Sequence, residues 1–348
     1  MENKIYRSRT IVHPSGEKFE TPLLVPSFSS KGFSMVSTQD GIISECHEVM
    51  MVATGFFDES VLVSAYDLYH KLIPKPSEFK CARINIIDSG GYETSQVYDL
   101  SGINKYNHDV KPWDEFKLKE VLSKWPKDMS GIMVSYDHGE LRLPIDEQVE
   151  NAQKLFHENK SLMSDFLIKP ETSSQSLIQL PNLAARPELL NGFDIIGVTE
   201  KEIGNSQLDR MLNIAVLRRE MDKVGNTSPI HVFGSLDPFN VILYFLAGAE
   251  VFDGLTWLKF AYHNCVAIYI QNYSVLSQKY GIETKDKALK RNFWVDNITF
   301  LTKLKYALIN FSAEKNYDYF KELDNDTFKL SELIEKLHGQ FLNKLKSK

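Results

Sequence analysis

The chain has few of the features that would reveal its class at once. Only three of its 348 residues are cysteines, Cys46, Cys81 and Cys265. An odd number at wide spacing is not a disulfide framework and fits a reducing compartment. No stretch approaches the roughly 20 consecutive apolar residues of a transmembrane helix, and the first residues lack the apolar core of a signal peptide. We therefore expect a soluble, cytoplasmic protein that does not interact with membranes.

Signals for nucleotides, for metals and for an overall basic charge are also missing. The formal net charge is −6 at pH 7, so a nucleic-acid partner would have to bind a local basic patch. The chain contains neither a phosphate-binding loop nor a dinucleotide-binding fingerprint. His47 beside Cys46 and His263 near Cys265 lack the spacing of paired metal ligands. The sequence therefore predicts no cofactor and no bound metal.

The chain does have a series of apolar, β-rich runs separated by helical patterns. Continuous apolar strands of this kind are typical of a parallel sheet that is covered on both faces. Eight such units in a chain with 43% apolar residues predict an α/β fold, a closed (β/α)8 TIM barrel. The eight predicted strands are Leu23–Phe28, Glu48–Thr54, Ile84–Ile87, Gly131–Tyr136, Phe166–Ile168, Asp194–Val198, Ile230–Phe233 and Glu250–Phe252.

Helical patterns predict the rest of the architecture. We expect a barrel domain over residues 1–262 and a helical C-terminal extension over residues 263–348. Residues 101–130 predict one helix and an active-site flap. Lysines of the extension form either a solvated helical face or a surface that faces nucleic acid. The predicted helices are Asp146–Asn159, Ser206–Val224 and Pro238–Gly248 in the barrel, and His263–Lys279, Lys285–Phe311 and Lys329–Lys346 in the extension.

Three of the predicted strands deliver an aspartate at their carboxyl ends, namely Asp88, Asp137 and Asp253. In a barrel these ends form one rim, where active sites are assembled. Taken singly, Asp88 could belong to an ordinary tight turn, and Asp253 could cap a helix. Because burying several carboxylates without a role is costly, three on one rim favour a common site. A pair of carboxylates there could act as nucleophile and general acid/base at a glycosidic carbon.

The loop after Asp88 has the composition of a ligand-binding turn. Gly90 and Gly91 permit positive φ and let a flat ligand approach the backbone closely. Tyr92 could stack on a nucleic-acid base, an interaction worth ~1–3 kcal/mol. Asp137 could accept hydrogen bonds from the amidine edge of a guanine-like base. These residues predict a base as the ligand.

Four segments match, in order, the motifs of one enzyme family. Asp88-Ser89-Gly90-Gly91-Tyr92 corresponds to an Asp-Ser-Gly-Gly-Phe/Tyr motif. Residues 7–26 correspond to a first hairpin and strand of that family. Residues 134–137 correspond to a strand that ends in a base-recognising aspartate, and residues 231–253 correspond to a Gly-x-Gly-x-Pro…Gly-x-x-x-Phe-Asp segment. From about Arg7 to Lys259 the chain thus resembles the tRNA-guanine transglycosylases (queuine tRNA-ribosyltransferases).

The resemblance implies an enzyme that replaces a guanine in a nucleic acid with a 7-deazaguanine. By that resemblance, Asp253 attacks the ribosyl C1′ to give a covalent glycosyl-enzyme, and Asp88 is the general acid/base for the departing and incoming bases. Asp137 binds the edge of the base and Tyr92 stacks on it. The nucleic acid is tRNA, or DNA as in the DNA-modifying branch of this superfamily.

The resemblance also implies contacts to the base from the loop that follows Asp88, where Ser89, Gly90 and Gly91 lie. The family commonly pairs, so a homodimer or a hetero-oligomer is expected.

The chain departs from the family pattern in segments that bind the nucleic acid and the base. The zinc subdomain, a Cys-x-Cys-x-x-Cys with a later His, is absent because no cysteine follows Cys265. Lys259 takes the place of an arginine, without its bidentate phosphate contact. The Gly-Gly-Leu base-binding loop becomes residues 197–204, where Gly197 and either Glu200 or Glu202 are candidates for base contact. A glutamine-bearing strand end becomes residues 167–170.

Two other classes of function stay open at this point. The chain could be a non-catalytic partner subunit that helps a second transglycosylase bind RNA, for which the loss of the zinc segment argues mildly. It could also be a nucleosidase or ribosyl hydrolase that releases a base without replacing it, with Glu200 and Glu202 activating water. Retention of both Asp88 and Asp253 favours the enzyme that exchanges bases.

Overall fold

The computed structural model describes residues 5–38, 41–53, 55–79, 82–95, 110–138, 141–277, 279–324 and 329–347. In chain order the strands are β1 (Thr10–Val12), β2 (Lys18–Glu20), β3 (Leu23–Phe28), β4 (Met35–Thr38), β5 (Gly41–Ser44), β6 (Ser60–Ser64), β7 (Ile84–Asp88), β8 (Gly131–Val134), β9 (Met163–Ile168), β10 (Ile195–Thr199), β11 (Ile230–Phe233), β12 (Val251–Gly254), β13 (Ala261–His263) and β14 (Val266–Ile268).

Eight of these strands close into one barrel, as the sequence predicts. β3, β6, β7, β8, β9, β10, β11 and β12 are all parallel, each pairs with the next along the chain, and β12 closes the ring on β3. Parallel neighbours need crossover connections, and helices between the strands supply most of them. All eight carboxyl ends therefore lie at one rim of the barrel.

The helices surround the barrel and continue beyond its last strand. They are α1 (Glu45–Ala53), α2 (Ala65–Tyr69), α3 (Gly91–Thr94), α4 (Glu115–Ser123), α5 (Ile145–Glu158), α6 (Leu180–Ala185), α7 (Gln207–Lys223), α8 (Pro238–Leu246), α9 (Thr256–Lys259), α10 (Ile270–Leu276), α11 (Asp286–Glu314) and α12 (Leu330–Lys346). None of the helices formed by the described residues is long and apolar enough to cross a membrane.

Much of the barrel interior is packed with apolar side chains. One buried cluster takes residues from all eight strands, together with Phe19 of the β1–β2 hairpin. Within a strand these residues recur at every second position, as in Ile84 and Ile86 of β7, because successive side chains point to opposite faces. The same alternation decides which polar residues point inward further along each strand.

The predicted strand Glu48–Thr54 is wrong. Residues up to Ala53 form α1, and Thr54 lies outside the described residues. Buried Cys46, Val49, Met50 and Ala53 recur at helical spacing, so the run is one face of an amphipathic helix. The second barrel strand is instead β6, whose five residues Ser60–Ser64 are all buried.

The predicted helix His263–Lys279 is also wrong. The segment forms the β13–β14 hairpin and then the short helix α10. Asn264 and Cys265 have positive φ at the turn of the hairpin, a conformation that breaks a helix. Of the predicted 101–130 region, residues 101–109 lie outside the described residues, and α4 is the helix in the rest.

Two long C-terminal helices match their predictions closely. The helix expected over Lys285–Phe311 is α11, and the one expected over Lys329–Lys346 is α12. Both pack on the barrel, since Phe311 and Phe341 belong to the same hydrophobic cluster as Phe245 of α8. The boundary proposed at residue 262 stays a prediction.

Candidate active site

Strand alternation directs several polar side chains into the carboxyl-terminal end of the barrel. Asp88 lies two residues after the inward-facing Ile86, and Asp253 lies two residues after Val251. By the same rule, His231 precedes the inward-facing Phe233 by two residues and points to the same interior. The interior at the carboxyl-terminal end of the barrel is therefore polar and contains carboxylates.

Asp253 is held on both of its carboxylate oxygens. Oδ1 accepts a hydrogen bond of 3.0 Å from the backbone N–H of Gly234, and Oδ2 accepts one of 2.7 Å from the hydroxyl of Ser27. Only 6% of the residue is exposed. The side chain is thus fixed in one orientation, as a nucleophile that attacks from a defined position must be.

A buried histidine and a second buried aspartate lie behind Asp253, and the sequence analysis did not identify either as part of the site. His231 Nδ1 is 2.6 Å from Asp165 Oδ2, and His231 Nε2 is 3.3 Å from Asp253 Oδ1. The second contact is an ion pair by distance, but its geometry is not that of a hydrogen bond. Burial lowers the pKa of His231, but the charge and the hydrogen bond of Asp165, followed by the nearby carboxylate of Asp253, outweigh it and raise the pKa to about 9. The imidazole is therefore protonated at neutral pH.

Asp88 lies in a different electrostatic environment. It ends β7 and accepts a hydrogen bond of 3.0 Å from the N–H of Gly90. Burial and then the charge of Glu93 raise the pKa of Asp88 to about 8, with smaller contributions from Asp253 and Asp137. Asp88 thus carries a proton at neutral pH, which is the state that a general acid requires.

Glu93, which the sequence analysis did not consider, is the principal charged neighbour of Asp88. It lies in α3 with 1% of its surface exposed and accepts hydrogen bonds from the hydroxyls of Ser29 and Ser64. Ser64 and Asp88 are paired residues of adjacent strands. The two serines fix the Glu93 carboxylate in the interior beside the Asp88 loop.

The loop after Asp88 lies directly against Asp137. Ser89 Oγ accepts a hydrogen bond of 3.3 Å from the N–H of Asp137. A Cβ atom on Gly91 would lie only 2.8 Å from the Asp137 side chain, and Gly90 has a φ of 88° beside Trp113. Glycines at 90 and 91 are therefore required for this close approach. The structure brings Ser89, Gly90, Gly91 and Asp137 together, as the sequence predicts for a common site.

The carboxylate of Asp137 is already paired with cations. Arg142 Nη1 lies 3.3 Å from Asp137 Oδ1, and Lys169 Nζ lies 3.4 Å from Oδ2. Lys169 also pairs with Glu202 at 2.7 Å. A cleft beside these groups is lined by Tyr136, Asp137, Arg142 and Lys169 among others. A base that binds Asp137 through its amidine edge has to compete with Arg142 and Lys169 for the carboxylate.

Tyr92 lies beside the same loop with a cation over its ring. Lys31 Nζ is 4.4 Å from the centre of the Tyr92 ring and donates hydrogen bonds of 2.7 Å to the carbonyls of Tyr92 and Ser95. The ammonium group therefore fixes α3 and approaches one face of the ring. The half-buried ring lies in the region where the sequence places a stacking residue.

The other three predicted binding residues have contacts that fix the scaffold. A Cβ atom on Gly197 would lie 2.6 Å from the Phe233 ring and 2.9 Å from Asp165 Oδ1. Glu200 accepts hydrogen bonds from Tyr244 of α8 at 2.7 Å and from Asn240 at 3.1 Å. Gly197 thus makes room in the barrel interior, and Glu200 ties the loop after β10 to α8.

Lys259 has a similar structural environment. Its Nζ donates a hydrogen bond of 2.6 Å to the carbonyl of Gly32 and lies 3.6 Å from the centre of the Phe33 ring. The side chain therefore holds the loop that follows β3.

No three histidine, cysteine, aspartate or glutamate side chains within the described ranges form a group that could hold a metal ion. A scan against protein-family models gives no match, and a search of curated proteins also finds no match.

Proposed function

We propose that the protein is a transglycosylase that replaces a guanine of a nucleic acid with a 7-deazaguanine, through a covalent glycosyl-aspartate. The observation that carries the proposal is the contrast between two carboxyl groups at one rim. Asp253 is oriented by Gly234, Ser27 and the protonated His231, whereas burial and Glu93 raise the pKa of Asp88 to about 8. A carboxylate held in a fixed orientation suits the role of nucleophile, and a carboxyl group that keeps its proton suits the role of general acid.

In the first displacement, the Asp253 carboxylate attacks C1′ of the nucleotide. The new C1′–O bond forms as the bond from C1′ to the guanine nitrogen breaks, and the proton of Asp88 goes to the departing base. In the second displacement, the Asp88 carboxylate takes a proton from the ring nitrogen of the incoming base. That nitrogen attacks C1′, the bond to Asp253 breaks, and the enzyme returns to its starting state with the anomeric configuration retained.

The base has to leave its stack to reach carboxylates inside the barrel end. The glycine loop lies against Asp137 at the rim, and Tyr92 directly follows Gly91, so a flipped base enters with its edge toward Asp137. Arg142 and Lys169 then move from Asp137 to Glu202 or to phosphate, since Glu202 is already their second partner. Both tRNA and DNA offer a guanine for this chemistry.

The test is incorporation of labelled guanine into bulk tRNA and, in parallel, into double-stranded DNA. We expect label in one polymer with the wild type and with Asp194→Asn, and none with Asp253→Asn. Asp194 is a matched control, because it precedes β10 at the opposite end of the barrel and bonds Ser164. Release of free base without incorporation would instead indicate a hydrolase. An active Asp253→Asn protein would refute the mechanism.

A further inference from the structure

Three buried side chains form a row across the barrel interior, from Asp165 of β9 through His231 of β11 to Asp253 of β12. The row has to cross β10, which lies between β9 and β11. At the crossing point β10 carries Gly197, paired in register with His231. Any side chain there would meet Asp165 Oδ1 and the Phe233 ring. The missing side chain of Gly197 is therefore what lets Asp165 reach His231.

The row contains buried charged groups where apolar side chains of similar size would pack at a lower cost in stability. Asp165 and His231 are both 0% exposed, and among the described residues Asp165 Oδ1 has no hydrogen-bond partner. Buried ionic groups usually lower stability relative to apolar residues of the same size. The Phe233 ring stacks on the imidazole at 3.8 Å between centroids and shields it from water. Because this buried ion pair costs stability and its imidazole contacts Asp253, we infer that the pair has a role at Asp253.

We propose that His231 and Asp165 are positioning residues that hold Oδ1 of Asp253, so that Oδ2 is the attacking oxygen and Oδ1 becomes the carbonyl oxygen of the glycosyl ester. This inference rests on the proposed function. Oδ1 is approached by the Gly234 N–H and by His231, whereas Oδ2 accepts one hydrogen bond within the described residues, from Ser27. Oδ2 therefore retains a lone pair for C1′.

Charge balance through the reaction explains why Asp165 is needed. The Asp165–His231 pair has no net charge, so Asp253 carries the one net negative charge of the row before it attacks. Once Asp253 is an ester, His231 would be an unpaired buried cation without Asp165. When the ester breaks, negative charge returns to Asp253 beside the imidazolium and the Gly234 N–H, and fixed donors at developing charge lower a barrier. The pair thus assists the second displacement most.

The experiment compares His231→Gln with His13→Gln, a matched buried histidine at the other end of the barrel. His13 bonds Ser15 Oγ at 2.8 Å and the carbonyl of Gly131 at 2.9 Å. We expect His231→Gln to break down the covalent adduct on the order of 100-fold more slowly, to accumulate adduct, and to keep KM. We expect His13→Gln to keep both rates. Unchanged adduct breakdown in His231→Gln, or an equal loss in both variants, would overturn the inference.

Asp165→Asn is a second variant that preserves shape. Its loss of charge lowers the pKa of His231, so adduct breakdown should be normal at low pH and slow at a pH where the wild type is still fast. The charged groups that face His231 are Asp165 from β9 and Asp253 from β12, and Phe233 covers its ring. A pH profile identical to that of the wild type would overturn the role of Asp165.

A titration of the imidazole by nitrogen NMR tests the pairing of His231 with Asp165 independently of base exchange. His231→Gln identifies the resonance, and we expect the wild-type ring to stay protonated through pH 8 and to lose its proton earlier in Asp165→Asn. If the wild type exchanges no base but this titration is observed, the proposed function fails and the pairing stands. A wild-type ring that titrates near the ordinary value of about 6.5 would refute the pairing whatever the activity.

Discussion

At the scale of single residues, the proton on Asp88 depends on burial and on a second buried carboxylate, that of Glu93. Burial is the largest cause of its raised pKa and Glu93 is the next. Glu93 is fixed in place by Ser29 and Ser64, so its charge acts from a constant position. The acid of the proposed reaction is therefore tuned by the charge that α3 carries.

Glu93→Gln should shift the pH dependence of base exchange. Removing the Glu93 charge removes repulsion from the Asp88 carboxylate, so the pKa of Asp88 falls, on the order of one unit. Asp88 then loses its proton at lower pH, and the alkaline limb of kcat moves toward lower pH by the same amount. The measurement is a pH profile of guanine incorporation.

Ser64→Ala is the control for this shift, because it removes one hydrogen bond to Glu93 but leaves the charge, which Ser29 still holds. We expect its alkaline limb to stay at the wild-type position. If the limb of Glu93→Gln also stays there, or moves toward higher pH, Glu93 does not set the proton affinity of Asp88.

Asp88, Asp137 and Asp253 are predicted from the sequence because each follows an apolar run, whereas Asp165, His231 and Glu93 are not among the predicted site residues. The predicted strand began at Phe166, although β9 begins at Met163, so Asp165 fell outside it. Period two from Met163 to Leu167 would have placed Asp165 in the interior. The pairing of Asp165 with His231 needs the register of three strands, which no local pattern supplies.

At the scale of elements, the sequence predicts a strand where the structure has the helix α1, because the apolar run there is short. Residues 49–53 are as apolar as a strand, but Met51 is exposed between the buried Met50 and Ala53. Helical spacing of the buried positions was the better guide. β6 was missed because its apolar core, Val61–Val63, is only three residues long between serines.

Gly197→Ala should weaken β10 as an element of the barrel. Its Cβ would lie 2.6 Å from the Phe233 ring and 3.3 Å from the backbone of Leu167, and overpacking of a tight interior costs about 1–3 kcal/mol. We expect the free energy of unfolding in urea to fall by that amount and adduct breakdown to slow, since Asp165 is displaced from His231.

Gly55→Ala is a matched control for this substitution, since a Cβ atom there would have no neighbour within 4 Å. Its unfolding free energy should stay within about 0.5 kcal/mol of the wild type. A Gly197→Ala protein as stable and as active as Gly55→Ala would show that the barrel interior at position 197 can accommodate a Cβ atom.

At the scale of the whole molecule, α11 is joined to the barrel end through a buried amide. Asn297 accepts a hydrogen bond of 2.7 Å from the N–H of Tyr262 and donates to the carbonyls of Trp257 and Phe260 at 2.7 Å and 2.8 Å. Trp257 is itself buried and donates to the carbonyl of Ser27, the residue whose hydroxyl bonds Asp253. The C-terminal helices and the site thus share a chain of contacts.

Asn297→Ala should destabilise the protein as a whole. It leaves one buried N–H and two carbonyls without their partner, at a cost of about 1–3 kcal/mol for each group that water cannot reach. We expect one cooperative transition at lower urea concentration. Thr299→Ala, at an exposed position of the same helix, should change stability by less than about 0.5 kcal/mol. Equal stability of the two variants would show that Asn297 does not join α11 to the barrel.

The proposed reaction attaches Asp253 covalently to the nucleic acid. The most direct measurement quenches the enzyme with its polynucleotide under denaturing conditions and locates the modified peptide by mass spectrometry. We expect an adduct on the peptide that carries Asp253, with one free guanine released for each adduct, in the wild type and in Asp194→Asn but not in Asp253→Asn. An adduct in Asp253→Asn, or base exchange with no adduct at any time point, would contradict it.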